Sequence, residues 1–447
     1  MDFGDKALSS AAYLKGGSVK RHVLVLICAV IVGFSGTQAA AYDYKVGDPY
    51  VATIVGTPEE LEAKLPEKID YELLGLKVFP FRPTPDVFWY QREFLYTLSY
   101  QKQEAPLIFV IAGTGSSFYS SSMIFLQKAF YQAGFHVICL SSPTHMNFIT
   151  TASATCVPGN IVEDSQDLYN VMTLAWEQVK GRIKVSEFYL TGYSLGGSQS
   201  AFIAKLDEEK RVFNFKKVLM INPAVSLYTS AKILDGMLLK AVPSGSPEEF
   251  DRWFNAVLVR FGEAYRMMKH PQLDHDFLYD VYRFLHKKGQ TPRQENLAGM
   301  IGTVFRLASG NMIFSADVMA NYGLIVPKNR VLGSADSLTD YLKVANYMSF
   351  IDYFNEFLYP YSRSRNPGLT KEALIEGTSL RSIEAYLRNS PKIVLMGNED
   401  DLILAPEDLV FLKNVFGARA KIYARGGHCG NMTFRDNIAD MINVFKN

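Results

Sequence analysis

The sequence has little cysteine, almost no net charge, and no repeat or low-complexity tract. Four cysteines in 447 residues cannot supply a disulfide scaffold. Lys and Arg total 46 against 45 Asp and Glu. No basic stripe stands out either, so nothing favours nucleic acid as a partner. Long apolar runs are also scarce. The run from Val23 to about Phe34 covers roughly 12 residues, whereas a membrane-spanning helix needs about 20.

Apolar residues themselves are plentiful, at 48 % with 13 % aromatic, so a sizeable core can form. The length exceeds one ordinary compact domain and points to a core domain plus a large insertion.

The N-terminus has the pattern of a secretory signal. Lys20, Arg21 and His22 precede the apolar run, and Thr37-Gln38-Ala39-Ala40-Ala41 offers a small-residue cleavage zone. Residues 1–41 are thus expected to direct export to the periplasm or the medium; an uncleaved membrane anchor is the alternative. The stretch before the basic group is unusually long. Cys28 lies inside the run without small residues before it, so it is not read as a lipid-modified cysteine. Cleavage would leave Cys139, Cys156 and Cys429. That odd count excludes full pairing, while a Cys139–Cys156 bridge and buried free thiols both stay open.

Residues 42–84 read as an N-terminal segment, in which Thr57-Pro58-Glu59-Glu60 has a helix-start pattern. Residues 85–225 read as the first part of a core. Val87 to Tyr100 suits a strand. Leu107 to Ala112, and Phe135 to Leu140, are apolar runs of the kind buried on both faces. A helix is expected from about Ser120 to Gln132. Asn160 is set to cap the next, with Glu163 at capping-box spacing. Strands follow at Phe188–Thr191 and Val218–Ile221, with a helix between them through about Leu206. Strand and helix alternate again in 389–447: strand Lys392–Met396, helix Pro406–Val415, strand Ala420–Ala424, helix Arg435–Phe445. Such alternation implies a mainly parallel sheet with helices on both faces. Between these parts, residues 226–388 carry almost no strand signal, and Glu248–Met268 and Leu338–Leu358 show helical spacing. This stretch is expected to form a helical insertion over the carboxyl ends of the strands, where ligands of such sheets bind.

Gly192-Tyr193-Ser194-Leu195-Gly196 has the form Gly-x-Ser-x-Gly. A serine on a very tight strand-to-helix turn needs neighbours without bulk two residues away on either side. The following helix aims N–H groups and a positive dipole at the site. The five residues alone carry little weight; the apolar strand before them, the helix after them and Gly197 add to it. A nucleophilic serine needs a base, and the base an orienting acid. Gly397-Asn398-Glu399-Asp400-Asp401 follows one predicted strand and Gly426-Gly427-His428-Cys429-Gly430 follows another.

With Ser, Asp and His in that order, the chain resembles the α/β-hydrolase superfamily. The resemblance implies an α/β-hydrolase-type sheet with a large helical cap insertion. It also implies Ser194 as nucleophile, His428 as base and Asp400 as acid, with Asp401 as runner-up. Asn222-Pro223 stands where some members place the acid and argues against that location. The oxyanion loop would be Ala112-Gly113-Thr114-Gly115-Ser116-Ser117, its donors the N–H groups of Thr114 and Leu195. Many members carry His-Gly where this chain has Ala112-Gly113.

His136, His270, His275 and His286 read as structural or solvated, and His145 as a residue that could line the pocket. Cys429 reads as a small packing residue. The pattern calls for no metal or cofactor. The expected activity is cleavage of a carboxylic ester, with a hydrophobic acyl group suggested by the aromatic and Met content of the insertion. Amide cleavage, acyl transfer and a non-catalytic binding role remain alternatives. The expected partner is a small or lipid-like acyl substrate. Membrane contact would come only through an uncleaved N-terminus, and oligomeric state is left open.

Overall fold

In a computed structural model, the described residues are 42–242, 244, 246–267 and 294–446. The expected export signal with Cys28, and His270, His275 and His286, lie outside the described residues.

Eight strands form one sheet in the order β1-β2-β4-β3-β5-β6-β7-β8. They are β1 (Glu72–Leu76), β2 (Phe94–Ser99), β3 (Ala105–Ile111), β4 (His136–Leu140), β5 (Val185–Tyr193), β6 (Lys217–Ile221), β7 (Ile393–Asn398) and β8 (Ala420–Tyr423). β2 runs antiparallel to both β1 and β4, and all other pairings are parallel.

The apolar runs follow from burial on both faces. Side chains alternate across a strand. Leu107, Phe109 and Ile111 therefore face one layer of core, while Ile108, Val110 and Ala112 face another. The first layer is completed by α4 (Ile161–Val179), α5 (Leu195–Lys210) and, nearer the C-terminus, Phe411, Leu412 and Val415. The second is closed by α2 (Ser121–Gln132) and by Ile438, Met441 and Phe445. Full burial of each such large apolar side chain contributes about 1.5–3 kcal/mol, so neither face tolerates a polar alternation.

Several local expectations need correction. The N-terminal segment contributes β1 to the sheet, and its helix is α1 (Pro49–Val55), where the Asp48 carboxylate accepts from the Tyr50 and Val51 N–H groups. Thr57-Pro58 leads only into a single tight turn, Glu59–Leu61. The strand expected over 87–100 begins at Phe94, because Asp86–Phe88 winds into a turn after Pro85. Asn160 does cap α4, but Glu163 pairs with Arg365 at 2.9 and 3.0 Å instead of closing a capping box. Cys139 and Cys156 are free and buried rather than bridged. Burial pushes the Cys139 thiol up to about 12 and raises that of Cys156.

Between β6 and β7 no strand occurs among the described residues. The chain passes through α6 (Leu227–Lys240), α7 (Pro247–Met267), α8 (Gln294–Ala320), α9 (Thr339–Tyr347) and a run of helical turns from Phe350 to Arg365. Its apolar side chains form cores of their own around Phe254 and Met300, and around Phe314, Tyr353 and Phe357. Within α8, Asn296–Ala320 is long and apolar enough to cross a membrane, yet 78 % of its apolar window is buried inside the protein. α8 and α6 are also joined by a buried Arg306–Asp235 ion pair at 3.2 Å.

Candidate active site

The parallel strands deliver their carboxyl ends to one edge, and the loops there hold the reactive groups. Ser194 follows β5 directly and stands at φ +54°, ψ −124°, a conformation that costs a non-glycine residue about 1–3 kcal/mol. Its neighbours explain how that turn exists. A Cβ on Gly196 would lie 2.4 Å from the Ile111 carbonyl oxygen, and one on Gly192 would lie 2.4 Å from that of Gly196. Only glycines allow β3, β5 and α5 to converge so closely.

Ser194 Oγ lies 2.9 Å from His428 Nε2. His428 Nδ1 lies 3.0 and 3.1 Å from the two carboxylate oxygens of Asp401. A carboxylate only accepts, so Nδ1 carries the proton and Nε2 is left to accept from the serine hydroxyl. The Asp401 side chain is 1 % exposed and that of His428 17 %. Burial alone would lower the histidine pKa. The Asp401 carboxylate, together with the neighbouring Cys429, outweighs it and holds the ring well above its ordinary value.

The residue first expected as acid, Asp400, does something else. Its carboxylate accepts from the N–H groups of Gly426 and Gly427 at 3.2 and 2.9 Å. It thereby ties the turn after β7 to the loop that carries His428. Successive side chains in that turn point different ways, and the one turned toward the imidazole is Asp401.

Other residues complete the site. Asn222, at the end of β6, donates from Nδ2 to Asp401 Oδ2 at 2.8 Å. It thus occupies the alternative acid position as a donor to the acid. Thr53 on α1 accepts from the His428 N–H at 2.9 Å through Oγ1. Gly427, at φ +56°, packs so tightly on α1 that a Cβ there would lie 2.3 Å from the Pro49 oxygen. Asn398 donates to the Gly427 carbonyl at 2.8 Å. The strand-end Asn222 carried a readable signal; Thr53 carried none, because its partner lies 375 positions away.

Thr114, Ser194 and Leu195 wall one small cavity together. Leu195 N–H is the first of α5 and has no intrahelical acceptor. Neither it nor the Thr114 N–H has a protein acceptor among the described residues. His145 caps the short helix Met146–Thr151, its Nδ1 accepting from Asn147, and it lines a neighbouring groove without Ser194. His136 is fully buried; it accepts from Gln101 N–H and donates to the Lys184 carbonyl. Cys429 Sγ lies 3.9 Å from His428 Nε2. No cluster of three or more metal-ligating side chains occurs among the described residues.

No protein-family model matches the chain, and no curated protein matches it. Solved structures similar to it include Est1E from Butyrivibrio proteoclasticus, with 12 % identity, 79 % of this chain and 96 % of that chain covered, and a TM-score of 0.36. A thermostable carboxyl esterase from Bacillus coagulans is 12 % identical over 85 % of this chain and 99 % of its own, with a TM-score of 0.40. Pyrococcus horikoshii acylaminoacyl peptidase is 10 % identical over 85 % of this chain and 42 % of its own, with a TM-score of 0.41. These likenesses are distant, and the architecture is legible without them. A mainly parallel sheet covered by helices on both faces, with a serine on the strained turn after β5 and Asp and His following it in that order, is the α/β-hydrolase fold.

Proposed function

We propose that this chain is a serine hydrolase that cleaves a carboxylic ester through an acyl-enzyme. The observation that carries the reading is the hydrogen-bonded relay Ser194–His428–Asp401, at 2.9 and 3.0 Å. In the first step Ser194 Oγ bonds to the ester carbonyl carbon and its proton passes to His428 Nε2. The carbonyl oxygen, now negative, accepts from the Thr114 and Leu195 N–H groups; one such donor contributes about 3–4 kcal/mol in comparable sites. The C–O bond to the alcohol then breaks, and His428 returns the proton to the leaving oxygen. Water repeats the sequence: its oxygen attacks the acyl carbon, its proton goes to His428 and then to Ser194 Oγ, and the carboxylic acid departs. Asp401 holds the ring in the needed tautomer and stabilises the imidazolium.

Two cavities meet at Ser194, and their lining supports an assignment of each. The leaving group must lie beside the base that protonates it. The cavity of about 180 Å³ that includes His428 and Cys429 is therefore the alcohol side. The cavity of about 60 Å³ lacks His428, contains both oxyanion donors, and is walled by Leu227, Phe305, Met312 and Phe350. It is the acyl side, apolar and small, and it suits a short acyl group. Export through residues 1–41 belongs to the same proposal, with a mature N-terminus near Tyr42.

The test is labelling by a fluorophosphonate probe together with hydrolysis of nitrophenyl esters of graded acyl length. Wild type is expected to label and to turn over short acyl esters, and Ser194→Ala to do neither. Undiminished labelling of the alanine variant refutes the nucleophile. No labelling and no turnover by wild type refutes the enzyme reading in favour of a binding role.

A further inference from the structure

The acyl-side cavity carries a single carboxyl group. Asp164, in the first turn of α4, lines it together with Ser194 and is only 3 % exposed. Its Oδ2 accepts from the Gly159 N–H at 2.9 Å, which holds the Pro158-Gly159 turn beneath the cap. The same turn is pinned from the cap by Tyr353, whose hydroxyl donates to the Pro158 carbonyl at 2.8 Å. Oδ1 has no hydrogen-bond partner among the described residues. Ser309 of α8 lines the same cavity and is 2 % exposed, and its hydroxyl likewise has no partner among the described residues.

Two other polar side chains of this wall have partners. Ser230 donates to the Ile403 carbonyl at 2.8 Å. Thr144 accepts from the Gly115 N–H at 2.8 Å and bonds to the Ser142 hydroxyl. The Asp164 carboxyl and the Ser309 hydroxyl both line the cavity, where a polar group that enters can bond to them.

The chemistry of the visitor is narrowed by charge. No Lys or Arg lines the cavity, so an anionic acyl group would meet no counter-charge. The acids next to Asp164 on α4 already have partners: Glu163 pairs with Arg365, and Asp167 accepts from the Ala154 N–H at 2.8 Å. Burial, helped by the negative field of Asp167 and Glu163, raises the Asp164 carboxyl well above its ordinary range despite the Gly159 N–H. A protonated carboxyl both donates and accepts, as the Ser309 hydroxyl does. The complementary neutral group that also does both is a hydroxyl.

We infer that the acyl group this enzyme accepts carries a hydroxyl substituent, bound between Asp164 and Ser309, so that the preferred substrates are esters of short hydroxy acids rather than of plain alkanoic acids. The inference rests on the ester-hydrolase reading above. Asp164 and Ser309 act on specificity and take no part in the bond-making steps.

The experiment compares kcat/KM, by titration of released acid, for ethyl 2- and 3-hydroxybutyrate against ethyl butyrate and ethyl 3-aminobutyrate. One of the hydroxy esters is expected to exceed ethyl butyrate by about tenfold or more, the discrimination of a single buried hydrogen bond. Asp164→Asn, still a donor and an acceptor, should keep most of that ratio. Ser309→Ala should reduce it and Asp164→Leu should abolish it. Should Asp164→Leu fail to fold, because Gly159 loses its acceptor, Ser309→Ala and Asp164→Asn still decide. A wild-type ratio near one, or a ratio that Ser309→Ala leaves unchanged, overturns the inference while leaving the hydrolase reading in place. Preference for the amino ester that Asp164→Asn destroys also overturns it, by showing an ionised carboxylate that binds a cation. If ethyl butyrate and the hydroxy esters are all inert and Ser194 does not label, the hydrolase reading fails first and the inference falls with it.

Discussion

Replacing Asp401 by Asn removes the charge behind His428 and keeps the side chain's shape. The carboxylate is almost dry, at 1 % exposure, and both its oxygens lie within 3.1 Å of Nδ1. Each oxygen also accepts a second bond, Oδ2 from Asn222 at 2.8 Å and Oδ1 from the Ile403 N–H at 3.2 Å. An amide must therefore turn its NH2 against one donor or the other, at a cost of about 1–3 kcal/mol in stability. An amide NH2 facing the ring would also hold the wrong tautomer, with the proton on Nε2 toward Ser194. In a serine protease the equivalent change lowers kcat about 10⁴-fold, or about 5 kcal/mol at 1.36 kcal/mol per decade. Asp400→Asn is the control. It weakens one of two bonds to the Gly426 and Gly427 N–H groups, about 1 kcal/mol, and should slow turnover less than about tenfold. The assay is kcat for nitrophenyl acetate across pH. Because His428 must be neutral to act as base and Asp401 raises its pKa, wild-type activity should rise through an acid limb above the ordinary histidine value. In Asp401→Asn the carboxylate no longer opposes burial, so the limb of the residual activity moves to lower pH. A loss near 10⁴ in Asp400→Asn with Asp401→Asn close to wild type would refute the assignment.

Two further outcomes follow from the loop that carries the base. Thr53→Val leaves the His428 N–H without its acceptor and should lower stability to urea by about 1–3 kcal/mol, with Thr53→Ser restoring it; equal midpoints for all three proteins would show that the clasp is not made. Of the described cysteines, Cys429 alone is partly exposed, so a thiol reagent on the folded protein should modify it before Cys139 or Cys156 and block turnover. Prior labelling of Ser194 should slow that reaction, since both residues line one cavity; peptide mapping that finds Cys139 or Cys156 modified as fast would contradict the burial described.

How much was legible depended on whether a signal was local. β3 and β4 were readable because burial on both faces demands an unbroken apolar run, and no other short element needs one. The elbow was readable because the Gly-x-Ser-x-Gly spacing is local in the chain, although its glycines also clear the β3 backbone at Ile111. β1 was not: it is an edge strand, mostly half-exposed, with Leu73 more than half exposed, so its pattern does not alternate cleanly. The choice between Asp400 and Asp401 was not local either. Their spacing to His428 differs by one residue, and what decides it is the pull of the Gly426 and Gly427 N–H groups on one side and Asn222 on the other. Thr53 acts on the base from an element that carries no chemical motif, so only the assembled fold shows it.

The clasp between α1 and the His428 loop also orders events in time. Ser194 and His428 are separated by 234 positions. At about 5–20 residues per second, synthesis delivers the nucleophile roughly 10–50 s before its base. Throughout that interval the elbow can form but has no proton acceptor, and α1, made earlier still, has nothing to hold. On the proposed reading, the nascent chain lacks its relay until the His428 loop docks on α1.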